Sequence, residues 1–234
     1  MAIGNHDEGL TLRQAALVAG FGYLLMPVAY AEFSIYPKLV IPANIEQTVQ
    51  NIVAHSGLFF TAIGCYLITL MLDVVIAWAL YILLTPVNRS VSLLAAWFRL
   101  VYTTTALFGL LNLVTLYRLL NTPDYLTAFG SQQLHAQAKL LLNSFRYDWS
   151  MSLVIFGVHL LLLGYLIYRS GYIPKVIGIL LLINGLGWAI DSLRPYVYPN
   201  ARLGFVAITF FGELAFMLWL LIRGWKIQEP VAHS

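Results

Sequence analysis

Charge is what this sequence has least of. Lysine, arginine, aspartate and glutamate make up 10% of its 234 residues, against roughly 25% in a soluble domain. So little charge cannot solvate a globular surface, which excludes a soluble fold. The net charge of +3 is too small to point to nucleic acid, and no such partner is expected. Cysteine occurs once, at Cys65, so no intrachain disulfide is possible. The histidines are too few and too scattered for a zinc site: no His/Cys grouping has ligand spacing, and neither His-x-x-x-His nor His-Glu-x-x-His occurs.

Apolar residues take the place of the missing charge, at 60% of the chain. A membrane span needs about 20 of them in succession. Six runs meet that length, near 15–36, 57–84, 91–117, 149–168, 173–193 and 204–222. Proline and polar turns separate them: Tyr36-Pro37, Thr85-Pro86-Val87-Asn88-Arg89-Ser90, Ser170-Gly171 with Pro174, and Arg194-Pro195. Proline removes a backbone donor and clashes with the preceding turn. The expected fold is all-α, a single transmembrane domain over 1–234 with six spans. Pro27 is expected to kink the first span and free a carbonyl.

Two connections are long. In 41–55, Asn44 followed by Gln47 resembles a capping box, so a helix is expected to begin there. In 121–148, Leu134, Ala138, Leu141, Leu142 and Phe145 share a helical face. That pattern predicts a short interfacial helix between the third and fourth spans; a helix packed on neighbouring loops is the alternative. Ala29-Tyr30-Ala31 before Glu32 resembles a signal-peptidase site, but Asp7 and Glu8 precede it where a signal peptide carries positive charge. The first span is therefore read as retained.

Apart from Arg99, which lies within a span, lysine and arginine divide evenly between the two sides. Arg13, Arg89, Arg169, Lys175, Arg223 and Lys226 crowd into short loops and termini. Lys38, Arg118, Lys139, Arg146, Arg194 and Arg202 share their side with Glu46, Asp124 and Asp148. The crowding predicts that both termini lie on the cytoplasmic side of the membrane.

Ionisable groups inside the spans mark candidate sites, because hydrocarbon does not tolerate them without compensation. Asp73 lies about 16 Å of helical rise before the end of the second run, and Arg99 about 12 Å after the start of the third. A tight turn joins those helices, so a buried Asp73–Arg99 pair is expected, read first as a device that fixes helix register. His159, Asn184 and Glu213 all fall near mid-depth. Asp148 is 11 residues before His159, close to three helical turns, and His55 is 18 before Asp73, close to five. Such stripes belong inside a bundle. An outward-opening polar cavity is therefore expected, with His159 and Glu213 at its floor, Asp148 and Asp191 nearer its mouth, and His55 and Asn184 contributing. Gly20, Gly22, Gly178, Gly185 and Gly187 are read as close-contact positions.

Several motifs together resemble the bacterial domain-of-unknown-function 4386 family. They are Pro86-Val87-Asn88-Arg89-Ser90 running on through Trp97-Phe98-Arg99-Leu100, Ala54-His55-Ser56-Gly57, His159-Leu160-Leu161, Tyr168-Arg169-Ser170-Gly171, Asp191-Ser192-Leu193 and Gly212-Glu213-Leu214. The resemblance covers nearly the whole chain. It implies a prokaryotic integral membrane protein of several helical spans and implies no activity, so no catalytic residue or cofactor follows from it.

Three function classes stay open. One is binding or transport of a small molecule or lipid in the cavity, which midplane ionisable groups favour. The second is an intramembrane metal-dependent hydrolase drawing on His55, His159, Asp191 and Glu213. The third is a non-catalytic membrane partner or regulator. Membrane lipid is the expected surrounding in all three.

Overall fold

The computed structural model describes residues 9–197 and 211–227, which form helices joined by short turns with no strand among them. Helix α1, Leu12–Leu24, opens on a capping box: Gln14 N donates to Thr11 Oγ1 (3.2 Å) and Thr11 N to Gln14 Oε1 (2.9 Å). Pro27 has no N–H to offer the Tyr23 carbonyl four residues back, and Met26 N takes it in a longer bond of 3.4 Å. The chain then resumes through Val28–Tyr30, a π-helical turn at Ala31–Ile35 and a last turn at Tyr36–Leu39. Pro37 sits where the π-helical turn passes into that last piece.

Helix α2, Ile45–Ala54, starts where Asn44 Oδ1 accepts from Gln47 N (3.0 Å). It gives way at His55 to α3, Ser56–Leu84. Helix α4, Arg89–Asn121, is capped by Asn88 Oδ1 on Val91 N (3.0 Å). A short α5, Pro123–Ala128, precedes α6, Ser131–Ser170, which closes on Gly171 in the left-handed region (φ 74°). Helix α7 is Lys175–Val197 and α8 is Phe211–Arg223, followed by a 3₁₀ turn at Gly224–Lys226.

Two expectations change here. The amphipathic stretch around Leu134–Phe145 is no separate interfacial helix. It is the beginning of α6, with Ala138, Leu142 and Phe145 buried and contacts to α2. The reason is plain in the sequence: neither proline nor glycine interrupts 131–156. At 40 residues and about 1.5 Å each, α6 is about twice as long as a ~30 Å hydrocarbon layer requires. Arg194-Pro195 likewise does not close α7, which runs on to Val197; a proline near a helix end withdraws one hydrogen bond and the backbone can continue. Of the expected span at 204–222, residues 204–210 lie outside the described residues.

Among the described residues, five segments are long and apolar enough to cross a membrane: Leu12–Leu39, Ser56–Leu84, Arg89–Asn121, Ser131–Ser170 and Lys175–Arg194. Their outward faces are apolar. On α3, Leu67, Ile68, Met71, Val74, Val75 and Trp78 are exposed at helical spacing, while Tyr66, Leu70, Asp73, Ile76 and Leu80 are buried. A helix that is apolar outside and carries its charge inside is built for lipid.

Around the bundle, α1 packs on α3, α3 on α4, α4 on α6, α6 on α7, α7 on α8 and α8 back on α1. Consecutive long helices are thus neighbours, and the ring closes. A close seam runs along α6 against α7. A Cβ on Gly157 would stand 2.7 Å from the Gly185 carbonyl oxygen, and one on Gly164 would stand 2.7 Å from that of Gly178. Both glycine pairs recur every seven residues, so the two backbones touch along two successive contacts. This is the close approach that lets membrane helices gain van der Waals contact without a hydrophobic driving force.

Candidate functional site

Arg99 on α4 is 1% exposed and ties four helices together. Its Nε donates to Asp73 Oδ1 of α3 (2.9 Å), and Nη2 bonds the same oxygen. Nη1 donates to the Tyr23 hydroxyl of α1 (2.8 Å) and faces His159 Nε2 of α6 (3.2 Å). The other ring nitrogen, His159 Nδ1, lies 2.8 Å from the Ala95 carbonyl oxygen. A carbonyl only accepts and a guanidinium only donates, so Nδ1 carries the proton and Nε2 is bare. His159 is therefore the neutral Nδ1–H tautomer. Phe156 stacks on its ring at 5.6 Å and also lies under the Arg99 guanidinium at 5.4 Å.

Four of the five guanidinium N–H groups are thus occupied, and the single charge is matched by Asp73. A neutralised cluster with one N–H to spare has little left to offer a substrate, which is the pattern of a device that sets register. The void beside His159, bounded by Ala77, Tyr81, Ser92, Ala95 and Leu163, holds little more than a water molecule.

Glu213 on α8 belongs to a different cluster. Its Oε1 accepts from Asn184 Nδ2 (2.9 Å) and Trp188 Nε1 (3.1 Å), both on α7 and one helical turn apart. Gly212 brings the helices together: a Cβ there would be 2.7 Å from the Leu180 carbonyl oxygen. Asn184 is 0% exposed, and its Oδ1 has no hydrogen-bond partner among the described residues. Glu213 is only half-buried. Its two donors are both neutral.

A third polar contact lies where the first span is irregular. The π-helical turn carries Glu32, whose Oε1 accepts from the fully buried Tyr66 hydroxyl of α3 (2.6 Å). Phe145 and Trp149 of α6 meet the Tyr66 ring edge-on, each at 5.2 Å. The hydroxyl is a single bond in an aromatic setting, so Tyr66→Phe is expected to cost about 1–2 kcal/mol in unfolding free energy. Thermal unfolding in detergent checks it; an unchanged or raised midpoint would show that the bond contributes nothing.

The remaining expected cavity residues sit elsewhere. Asp148 is exposed and accepts from Asn112 Nδ2 (3.0 Å). Asp191 pairs with Arg194 on its own helix (3.2 Å). His55 is exposed at the break between α2 and α3, with its Nδ1 on the Asn51 carbonyl (3.2 Å). That break is why five ideal turns do not carry a stripe from His55 to Asp73: the two are not on one continuous helix. Sequence reasoning left out Tyr23, Trp188 and Tyr66. Trp188 carries a usable signal, since it lies one turn from Asn184 and its indole N–H needs an acceptor. Tyr23 and Tyr66 read as ordinary aromatics.

These features define a polytopic helical membrane protein with a buried ion-pair hub and, apart from it, a carboxylate–amide site in which Asn184 Oδ1 is unpartnered. The chain belongs to the family described as "Domain of unknown function (DUF4386)", which matches residues 18–224. It is 35% identical over 197 residues to an uncharacterized protein of Archaeoglobus fulgidus, a match covering 83% of this chain and 96% of that one. No solved structure matches it.

Proposed function

We propose that this protein binds, or moves across the membrane, a small molecule or lipid held between α7 and α8 at Glu213, Asn184 and Trp188. The observation that carries the reading is the unpartnered Asn184 Oδ1 beside a carboxylate. A buried polar atom left without a partner costs about 1–3 kcal/mol, and a ligand supplies what the protein withholds. The Arg99 cluster acts as the rigid frame on which the site is mounted. A metal-dependent hydrolase is disfavoured by the donor set: among the described residues no three of His, Cys, Asp and Glu converge, and both ring nitrogens of His159 are engaged.

In this reading α8 together with the residues before it forms a sixth span, and both termini lie on the cytoplasmic side of the cell membrane. The first half of α6 projects past the hydrocarbon as the carrier of the amphipathic face. A compartment-sensitive reporter fused to either end is expected to report the cytoplasm in both cases. Opposite sides would mean five spans, and both ends outside would reverse the charge argument.

The site itself is tested by native mass spectrometry of the protein extracted in mild detergent. The wild type is expected to retain an added mass that Glu213→Gln loses while remaining folded by circular dichroism. An added mass of the same size and occupancy in both would remove Glu213 from the site.

A further inference from the structure

The groups around Glu213 and Asn184 specify the chemistry of a ligand. The Arg99 guanidinium is neutralised by Asp73, and the hydrogen-bond roles of His159 make it neutral. Glu213 forms no ion pair among the described residues: Arg99, the cation of this interior, is bonded to Asp73 instead. Its donors, Asn184 and Trp188, are neutral and both spend themselves on Oε1. Asn184 Oδ1 is sealed and unpartnered. What the site has in excess is therefore acceptors; what it lacks is donors and, with Glu213 ionised, one positive charge.

We infer that the site between α7 and α8 takes a primary ammonium group, its N–H donors shared between Glu213 and Asn184 Oδ1. This rests on the proposed function above and names its ligand class. An alkali ion fits less well, because it asks for roughly six oxygens and two residues supply them here. A quaternary ammonium has no N–H to give Asn184. Aromatic rings suit a cation: Trp188 lies alongside, and Phe216 follows Glu213 by one turn of α8 with Tyr23 edge-on against it at 6.2 Å. The ammonium could belong to a free amine or to an ethanolamine headgroup, and the two sources share this chemistry.

Thermal unfolding of the full chain separates the possibilities. In detergent, propylammonium chloride is compared with sodium chloride and tetramethylammonium chloride at equal ionic strength. In nanodiscs, phosphatidylethanolamine is compared with phosphatidylcholine. A midpoint raised by about 5 °C at saturation is expected with propylammonium alone for a free amine, or in phosphatidylethanolamine alone for a headgroup. Either rise should vanish in Glu213→Gln and shrink in Asn184→Ala; the second variant keeps the test valid if the first does not fold. Equal rises with sodium or tetramethylammonium would overturn the inference, as would no rise in either arm. A ligand found on the wild type by mass that carries no amine would overturn it too, while leaving the binding function itself standing.

Discussion

Replacing Arg99 with leucine is expected to destabilise the protein by about 3–5 kcal/mol, the largest single effect of any polar substitution in the chain. The size follows from what is left behind. Asp73 would stay buried with its charge unmatched, since Nε and Nη2 of Arg99 are its partners. His159 Nε2 and the Tyr23 hydroxyl would lose their shared donor. Asp73→Leu should cost a similar amount by stranding the guanidinium. The double variant Asp73→Leu/Arg99→Leu should cost clearly less than the sum of the two, because it strands no charge. Reversible unfolding in mixed detergent for the four proteins gives the coupling directly. Additive losses would mean that the two side chains do not depend on each other. His159→Leu should fall between, since it costs Arg99 one acceptor and leaves the ion pair whole.

The second large effect belongs to a residue with no side chain. Gly164→Leu is expected to prevent α6 and α7 from docking and to leave little folded protein after extraction. Two of the three atoms that a Cβ would meet first are backbone, the Gly178 carbonyl oxygen at 2.7 Å and Leu182 N at 2.9 Å, with Leu182 Cγ the third at 2.9 Å. A flexible side chain could swing aside, but a helix backbone can only withdraw whole. The usual overpacking penalty of about 1–3 kcal/mol is therefore a lower bound here. Gly64→Leu provides the contrast, because nothing lies within 4 Å of a Cβ there and the added side chain would face outward. Equal yields and equal melting curves for the two variants would refute the close seam.

The apolar runs were legible because length and composition alone decide whether a helix can cross a membrane. The start of α2 was legible for the same kind of reason: Asn44 with Gln47 carries its chemistry locally. Depth was legible too, since it follows from counting along a helix of known rise. Rotation was not. Counting puts Asp73 level with Arg99 and His159 level with Glu213, but only the angle of each helix decides which of the level groups meet. A helix such as α3, with apolar residues both inward and outward, leaves little angular trace. So His159 turns to Arg99, while Glu213 meets Asn184 and Trp188. The heptad spacing of Gly157 with Gly164, and of Gly178 with Gly185, is an angular signal that reading glycines one at a time passes over. The irregular turn after Pro27, which sets Glu32 against Tyr66, depends on a π-helical register that no spacing rule announces.

The most direct test of the division between a neutralised hub and a site with an unpartnered amide oxygen is an experimental density map of the wild-type protein in lipid, sharp enough to show ordered small molecules. Density for a bound group is expected within hydrogen-bond reach of both Asn184 Oδ1 and the free oxygen of Glu213, with Arg99, Asp73, Tyr23 and His159 in direct contact beside it and nothing between them. A side chain of the protein itself donating to Asn184 Oδ1, or a ligand seated on Arg99 in place of Asp73, would contradict that division.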